Sequence, residues 1–223
     1  MTDQRRSALT AQPAPSGQAS LPGAATRSWA ISAAGSSHGG DSYRDLIRQL
    51  RLLLDRVAGA KPPESTIEQL AAALGQWSGE LSRFQVPEED QVYARRNDLP
   101  GRGECLVPTY EIYEQNRTTL RATVTFGRYY LGGGGAVHGG AISLLFDAAF
   151  GSFSNSEGRT PSRTAYLNVA FRALTPIDEP LDLVVRIHRE DGRKRFITGD
   201  LLRGETTCAT GEALFIELGQ DQS

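Results

Sequence analysis

Gly132-Gly133-Gly134-Gly135-Ala136-Val137-His138-Gly139-Gly140-Ala141-Ile142-Ser143-Leu144-Leu145-Phe146-Asp147-Ala148-Ala149-Phe150-Gly151-Ser152-Phe153 sets a flexible glycine run and a His-Gly-Gly turn directly before an apolar segment. Ile142, Leu145, Phe146, Ala149, Phe150 and Phe153 fall at i, i+3, i+4, i+7, i+8 and i+11, the spacing of a helix with one strongly apolar stripe. Asp147 lies off that stripe. A helix opening at Gly139 and Gly140 leaves its first amides without internal partners and aims the positive end of its dipole at the turn. An anion or a polarised carbonyl suits that place, and glycine lets the backbone approach it closely. Asp147 follows about two turns later, so one amide donor and one carboxylate are read here as addressing one substrate group.

The rest of the chain bounds what this segment serves. With 223 residues, 39% hydrophobic and 22% charged, it is long enough for one ordinary domain and an appendage. A formal charge of −2 and a pI near 6.0 supply no basic field for nucleic acid. No run approaches the ~20 apolar residues of a membrane helix. Cys105 and Cys208 form no C-x-x-C motif and no disulfide framework, which favours a reducing, cytoplasmic setting. Only Lys61 and Lys194 are lysines, so no Lys follows the glycine run as a phosphate-binding loop demands.

Three zones follow. Residues 1–41, rich in Ala, Ser, Gly, Pro and Gln, lack the apolar content to offset chain entropy and read as a disordered tail. They hold no apolar h-region; Arg5, Arg6 and Arg27 loosely suggest a transit peptide of poor amphipathicity. Residues 42–86 read as a helical hairpin. Leu46, Ile47, Leu50, Leu53, Leu54 and Val57 share one face, and Ile67, Leu70, Ala71, Leu74, Trp77 and Leu81 another. Ser42 with Asp45, and Ser65 with Glu68 after Lys61-Pro62-Pro63, look like capping boxes. The two apolar faces are expected to pack on each other and on the later domain or a second subunit.

Residues 87–220 turn to strands. Leu106–Glu114 and Leu120–Phe126 precede the glycine run; Thr164–Leu174, Leu181–Arg189, Arg195–Leu202 and Thr207–Leu218 follow the helix. The class is therefore α+β: a curled antiparallel sheet of about six strands around a central helix. Ala209, Gly211 and Ala213 share a strand face on which a ring or another backbone can come close.

Phe126-Gly127, Gly132 to Gly135, Val137-His138-Gly139-Gly140-Ala141, Asp147 and Thr164-Ala165-Tyr166-Leu167-Asn168, in this order of strands and helix, resemble the hotdog-fold acyl-CoA thioesterases, most closely the PaaI-like branch, over roughly residues 104–218. His-Gly-Gly alone is weak, for His38-Gly39-Gly40 repeats it in the tail before Asp41 and Ser42. In the family this loop is often proline-rich or carries a positioning Asn; here four glycines hold the place with neither.

The resemblance implies roles. The Gly139 amide, helped by Gly140, would polarise the thioester carbonyl. Asp147 would be the base for water or the direct nucleophile, and His138 would shape the turn or touch the thioester. Thr164 would orient the water across a dimer interface. No metal or separate cofactor is implied, coenzyme A being part of the substrate, and a homodimer or dimer of dimers would complete the site. Arg193 and Lys194, with Arg195 beside them, are candidates for the coenzyme A phosphates, although such a cluster commonly marks a solvated hairpin tip. A Gly-x-Ser-x-Gly elbow, zinc-ligand spacing among His38, His138 and His188, and a Rossmann fingerprint are all missing. The alternative is a non-catalytic acyl-CoA or lipid-binding module whose hairpin contacts a partner; a hotdog dehydratase is weaker, its His and Asp pairing not being evident.

Overall fold

The computed structural model of the protein describes residues 38–219. The expected tail therefore lies outside the described residues except at its last positions. Helix α1 spans Gly40–Gly59, α2 spans Glu64–Leu81 and α3 spans Gly139–Ser154. The strands are β1 (Tyr110–Gln115), β2 (Thr119–Thr125), β3 (Leu131–Gly133), β4 (Ala136–Val137), β5 (Ser162–Phe171), β6 (Pro180–Asp191), β7 (Lys194–Arg203) and β8 (Thr206–Glu217). Six of them form one antiparallel sheet in the order β1-β2-β6-β7-β8-β5. The hotdog architecture expected from the sequence is present, with α3 as its core.

The stripe read from the sequence is the buried one. Leu145, Phe146, Ala149, Phe150 and Phe153 are fully buried against Leu120, Val124, Leu183, Val185, Ile197 and Phe215 of the sheet. Burial of this order, ~1.5–3 kcal/mol for each large side chain, makes α3 the centre of the domain. Gly211 and its cross-strand partner Gly199 give the helix room. A Cβ on Gly199 would stand 2.6 Å from the Phe150 ring, and one on Gly211 would stand 3.0 Å from that of Phe146. The small-residue face at Ala209, Gly211 and Ala213 thus admits rings, as its composition suggested.

Both ends of α3 are fastened. At its C-terminus the guanidinium of Arg195 donates to the Ser154 and Thr160 carbonyls at 2.8 and 2.9 Å and pairs with Glu217. A cation among the last carbonyls also suits the helix dipole. Arg195 is buried, so it is a core brace and not part of a hairpin-tip cluster facing a ligand. At the N-terminus, the glycine run is ordered. Gly133 pairs with Ala136 across Gly134 and Gly135, whose φ values of 58° and 78° are those a two-residue I′ hairpin requires. Bonds from Val137 N–H to the Thr175 carbonyl (2.8 Å) and from Ile177 N–H to the Gly135 carbonyl (3.2 Å) tie this ribbon to the chain after β5.

The N-terminal helices depart from expectation. Neither capping box forms, because both helices begin earlier. Gly39, with φ 77°, turns the chain into α1 before Ser42, and Pro63 is the N-cap of α2 before Ser65. The two helices also fail to pack on each other. The link runs extended through Ala60 and Pro63, as consecutive prolines dictate, and α2 buries no residue. Helix α1 instead lies on the domain. Ile47 is buried, Arg51 donates to the carbonyls of Glu104 and Val107, and Asp55 accepts from the Tyr129 amide at 3.0 Å. No helix among the described residues is long and apolar enough to cross a membrane.

Candidate active site

His138 is the N-cap of α3, in extended conformation, and its Nδ1 accepts from the Gly140 amide at 3.0 Å. An accepting Nδ1 fixes the neutral ring's proton on Nε2. The next two amides, of Ala141 and Ile142, reach the His138 carbonyl. Gly139 is therefore left as the first-turn residue whose N–H has no partner among the described residues. This narrows the expected donor pair to one: the Gly140 amide is occupied by the cap. The turn is held from outside as well, by a 2.8 Å bond from His138 N–H to the Tyr130 carbonyl. Tyr130 closes the short helical turn Arg128–Tyr130, which Asp55 of α1 engages at Tyr129. Gly132 packs so closely on the His138 backbone that a Cβ there would stand 2.8 Å from its Cα.

Asp147 is exposed on the side of α3 away from the stripe. The Thr164 hydroxyl donates to its Oδ1 at 3.1 Å. That contact lies within one chain. Thr164 faces inward on β5 opposite Phe215, and the register shift between Thr164 and Tyr166 keeps the next pairs in phase with Leu167 facing the core. The other end of β5 serves the other end of the helix. The Phe171 ring sits on Gly139, with its tip 3.0 Å from where a Cβ would stand.

The two halves are far apart. Asp147 follows Gly139 by eight positions, which is ~12 Å along a helix rising ~1.5 Å per residue. The expectation that one carboxylate and one amide of the same helix address one substrate group fails on that length. The remaining candidates lie at the β6–β7 hairpin. Arg193 donates to the Glu217 carbonyl through Nε and Nη2, at 3.1 and 2.6 Å, so its guanidinium braces the hairpin. Lys194 is exposed and stands in register with Ile216 of β8, whose neighbour on the other side is Arg163 of β5, on the sheet face opposite Asp147. Among the described residues no group of three or more His, Cys, Asp or Glu could hold a metal ion. Both cysteines are free, and burial pushes the Cys105 thiol up, away from nucleophilic use.

Sequence reading missed Phe171 and the occupied Gly140 amide. The first depends on contact between residues 32 positions apart in sequence, and the second on which residue becomes the N-cap.

A six-stranded antiparallel sheet wrapped on one helix, with a histidine-capped glycine turn and a carboxylate on the helix's open side, defines a hotdog-fold protein. Residues 134–209 match the thioesterase superfamily, a match that runs from the turn before α3 into β8. A thioesterase superfamily protein of known structure is 25% identical, with a TM-score of 0.67 over 80% of this chain and 92% of that one, a span that takes in more than the sheet and central helix. The acyl-coenzyme A thioesterase THEM4 of Mus musculus is 30% identical over 111 residues, 48% of this chain and 47% of that protein. The chain thus spans about half the length of the curated relative it matches. The E. coli PaaI protein, from the phenylacetic acid degradation operon, is 17% identical with a TM-score of 0.45 over 48% of this chain and 82% of that one.

Proposed function

We propose that the protein is an acyl-CoA thioesterase of PaaI-like type whose site is shared by two copies of the chain. The observation that carries this reading is the division of the site between the ends of β5: Asp147 with Thr164 at one, the open Gly139 amide with Phe171 at the other. Thr164 and Phe171 are seven residues apart, ~23 Å along a strand. β5 is an edge strand, and an unpaired edge invites pairing. Two copies joined antiparallel along β5 bring the Thr164 end of each beside the Phe171 end of the other. Two equivalent sites result, each with a carboxylate from one copy and an amide from its mate.

The chemistry then needs little beyond positioning. Thr164 donates to one oxygen of Asp147 and leaves the other to accept from a water. Asp147 takes the water's proton as its oxygen attacks the thioester carbonyl. The developing oxyanion is held by the Gly139 amide of the second copy at the helix N-terminus. Collapse expels coenzyme A as the thiolate, which recovers the proton, giving free acid and thiol. Direct attack by Asp147 through a mixed anhydride uses the same geometry, and label in the protein after single turnover in ¹⁸O-water would identify that route. The cytoplasm is the expected setting, in keeping with the two free cysteines.

Purified protein should release thiol from a panel of acyl-CoAs, and Asp147→Asn should lower kcat/KM by ~100-fold or more. An unchanged rate would sink the assignment, and sedimentation as a monomer at micromolar concentration would sink the shared site. One observation favours a second reading, a binding module that docks a partner: Ile67, Leu74, Trp77 and Leu81 of α2 stand exposed. A protein that binds acyl-CoA without thiol release would take that reading instead.

A further inference from the structure

We propose that Phe171 sets the substrate range of this site, restricting it to acyl-CoAs with an unbranched carbon next to the thioester carbonyl; the inference rests on the thioesterase reading above. Phe171 faces inward at the end of β5 opposite Ala209, yet it is 56% exposed. The core does not account for it. Its ring tip, Cζ, points at Gly139 on the side where a Cβ would be, 3.0 Å from that position, with both Cε atoms at 3.5 Å.

Gly139 offers the one open amide of the turn, so a carbonyl oxygen accepting from it brings its carbonyl carbon within a few ångström of the ring tip. A rigid aromatic edge there does two things. It removes water from one side of the amide, which strengthens a hydrogen bond to developing charge. It also removes the volume that a second substituent on the neighbouring carbon would fill. A straight chain passes beside the ring, whereas a branch meets it. Glycine at 139 and phenylalanine at 171 are thus a matched pair: a Cβ at 139 would press on the ring tip and push it aside.

Butanoyl-CoA and 2-methylpropanoyl-CoA have the same atoms and differ only in that branch. Wild-type protein should prefer the straight isomer by ~10-fold or more, and Phe171→Ala should narrow the preference by a similar factor, the scale of one misplaced methyl in an apolar pocket. The ratio is read twice, as kcat/KM for the esters and as Kd for their non-hydrolysable thioether analogues. A ratio that Phe171→Ala leaves unchanged in both readings overturns the inference. Retained analogue binding without thiol release sinks the hydrolase reading alone, and no binding of either analogue sinks both. Gly139→Ala tests the pair independently: its loss of activity or analogue affinity should be smaller in the Phe171→Ala background, and an equal loss in both backgrounds counts against the contact.

Discussion

The tripeptide His-Gly-Gly occurs twice, at 38–40 and at 138–140, and both copies stand at the start of a helix. The first is therefore not confined to a tail, as its neighbours Asp41 and Ser42 suggested. What separates the two is which residue becomes the N-cap. At 38–40 the helix begins on the second glycine, Gly39 is the cap in left-handed conformation, and the buried guanidinium of Arg96 takes the carbonyls of His38 and Gly40 at 2.9 and 3.2 Å. At 138–140 the helix begins on the first glycine, His138 is the cap in extended conformation, and its ring takes the Gly140 amide. One turn has its acceptors satisfied by the protein; the other keeps a donor open. The same offset diverges further along. Nine residues after His38 stands Ile47, the buried contact of α1; nine after His138 stands Asp147, turned to the open side. A motif of three residues states only that a chain can turn into a helix closely; the cap and the opposite face state what the turn is for.

Substitution at that shared offset gives the largest contrast. Asp147→Asn is isosteric and exposed, so its loss of ~100-fold or more in kcat/KM should come without a change in melting temperature. Ile47→Ala should cost ~2 kcal/mol of stability, the low end for a buried aliphatic because α1 is covered on one side only, and leave kcat/KM of the folded protein within about twofold. Interchanged readouts would mean that the two turns have been assigned the wrong way round.

The caps differ by a smaller amount. His138→Ala removes the acceptor for Gly140 at ~1 kcal/mol and should lower activity by ~10-fold as the turn loosens, the energy of one net hydrogen bond. His138→Asn restores a capping oxygen. Recovery of activity in that variant marks His138 as a positioning residue, and failure to recover marks the imidazole as touching substrate. Gly39→Ala is the counterpart, since a Cβ at φ 77° would stand 2.8 Å from Tyr43 Cβ. It should lower the melting temperature with kcat/KM unchanged.

These contrasts explain what was legible in the sequence. Periodicity exposed the α3 stripe and the off-stripe place of Asp147, because both depend on 3.6 residues per turn alone. Alternation located the six sheet strands, and small residues at 209, 211 and 213 marked where rings would enter. The rest lay in tertiary terms. β3 and β4 flank a glycine run with little strand propensity; β4 and the turn before it are held by Thr175, Pro176 and Ile177, and β3 pairs with β4. Ser42 and Ser65 have the right spacing for capping boxes, but Gly39 and Pro63 start the helices before them. Thr164 is legible as a site candidate, but that it meets Asp147 follows from the β5 register. Phe171 bore no signal, for its meaning lies in a glycine on another element.

The least change should come from acid, and it should fall on one turn only. Arg96 donates through Nε and Nη2 to the two carboxylate oxygens of Asp98, each at 2.7 Å, while Nη1 holds His38 and Gly40. The guanidinium hydrogen bonds lower the Asp98 carboxyl from 3.8 to about 2. A carboxyl depressed in the folded state stabilises it above its unfolded value, and that contribution is lost as pH falls from about 4 towards 2. Asp98→Asn removes that contribution, so the urea midpoints of wild type and variant should converge as pH falls through this window; parallel curves would exclude Asp98 as the cause. Hydrogen exchange places the effect. The Tyr43 amide, bonded to the Gly39 carbonyl at 3.0 Å, should lose protection relative to its intrinsic rate as Arg96 is freed from Asp98. The His138 amide, bonded to Tyr130 and remote in sequence from that ion pair, should keep its protection relative to Tyr43, so that the first His-Gly-Gly turn opens while the second remains formed.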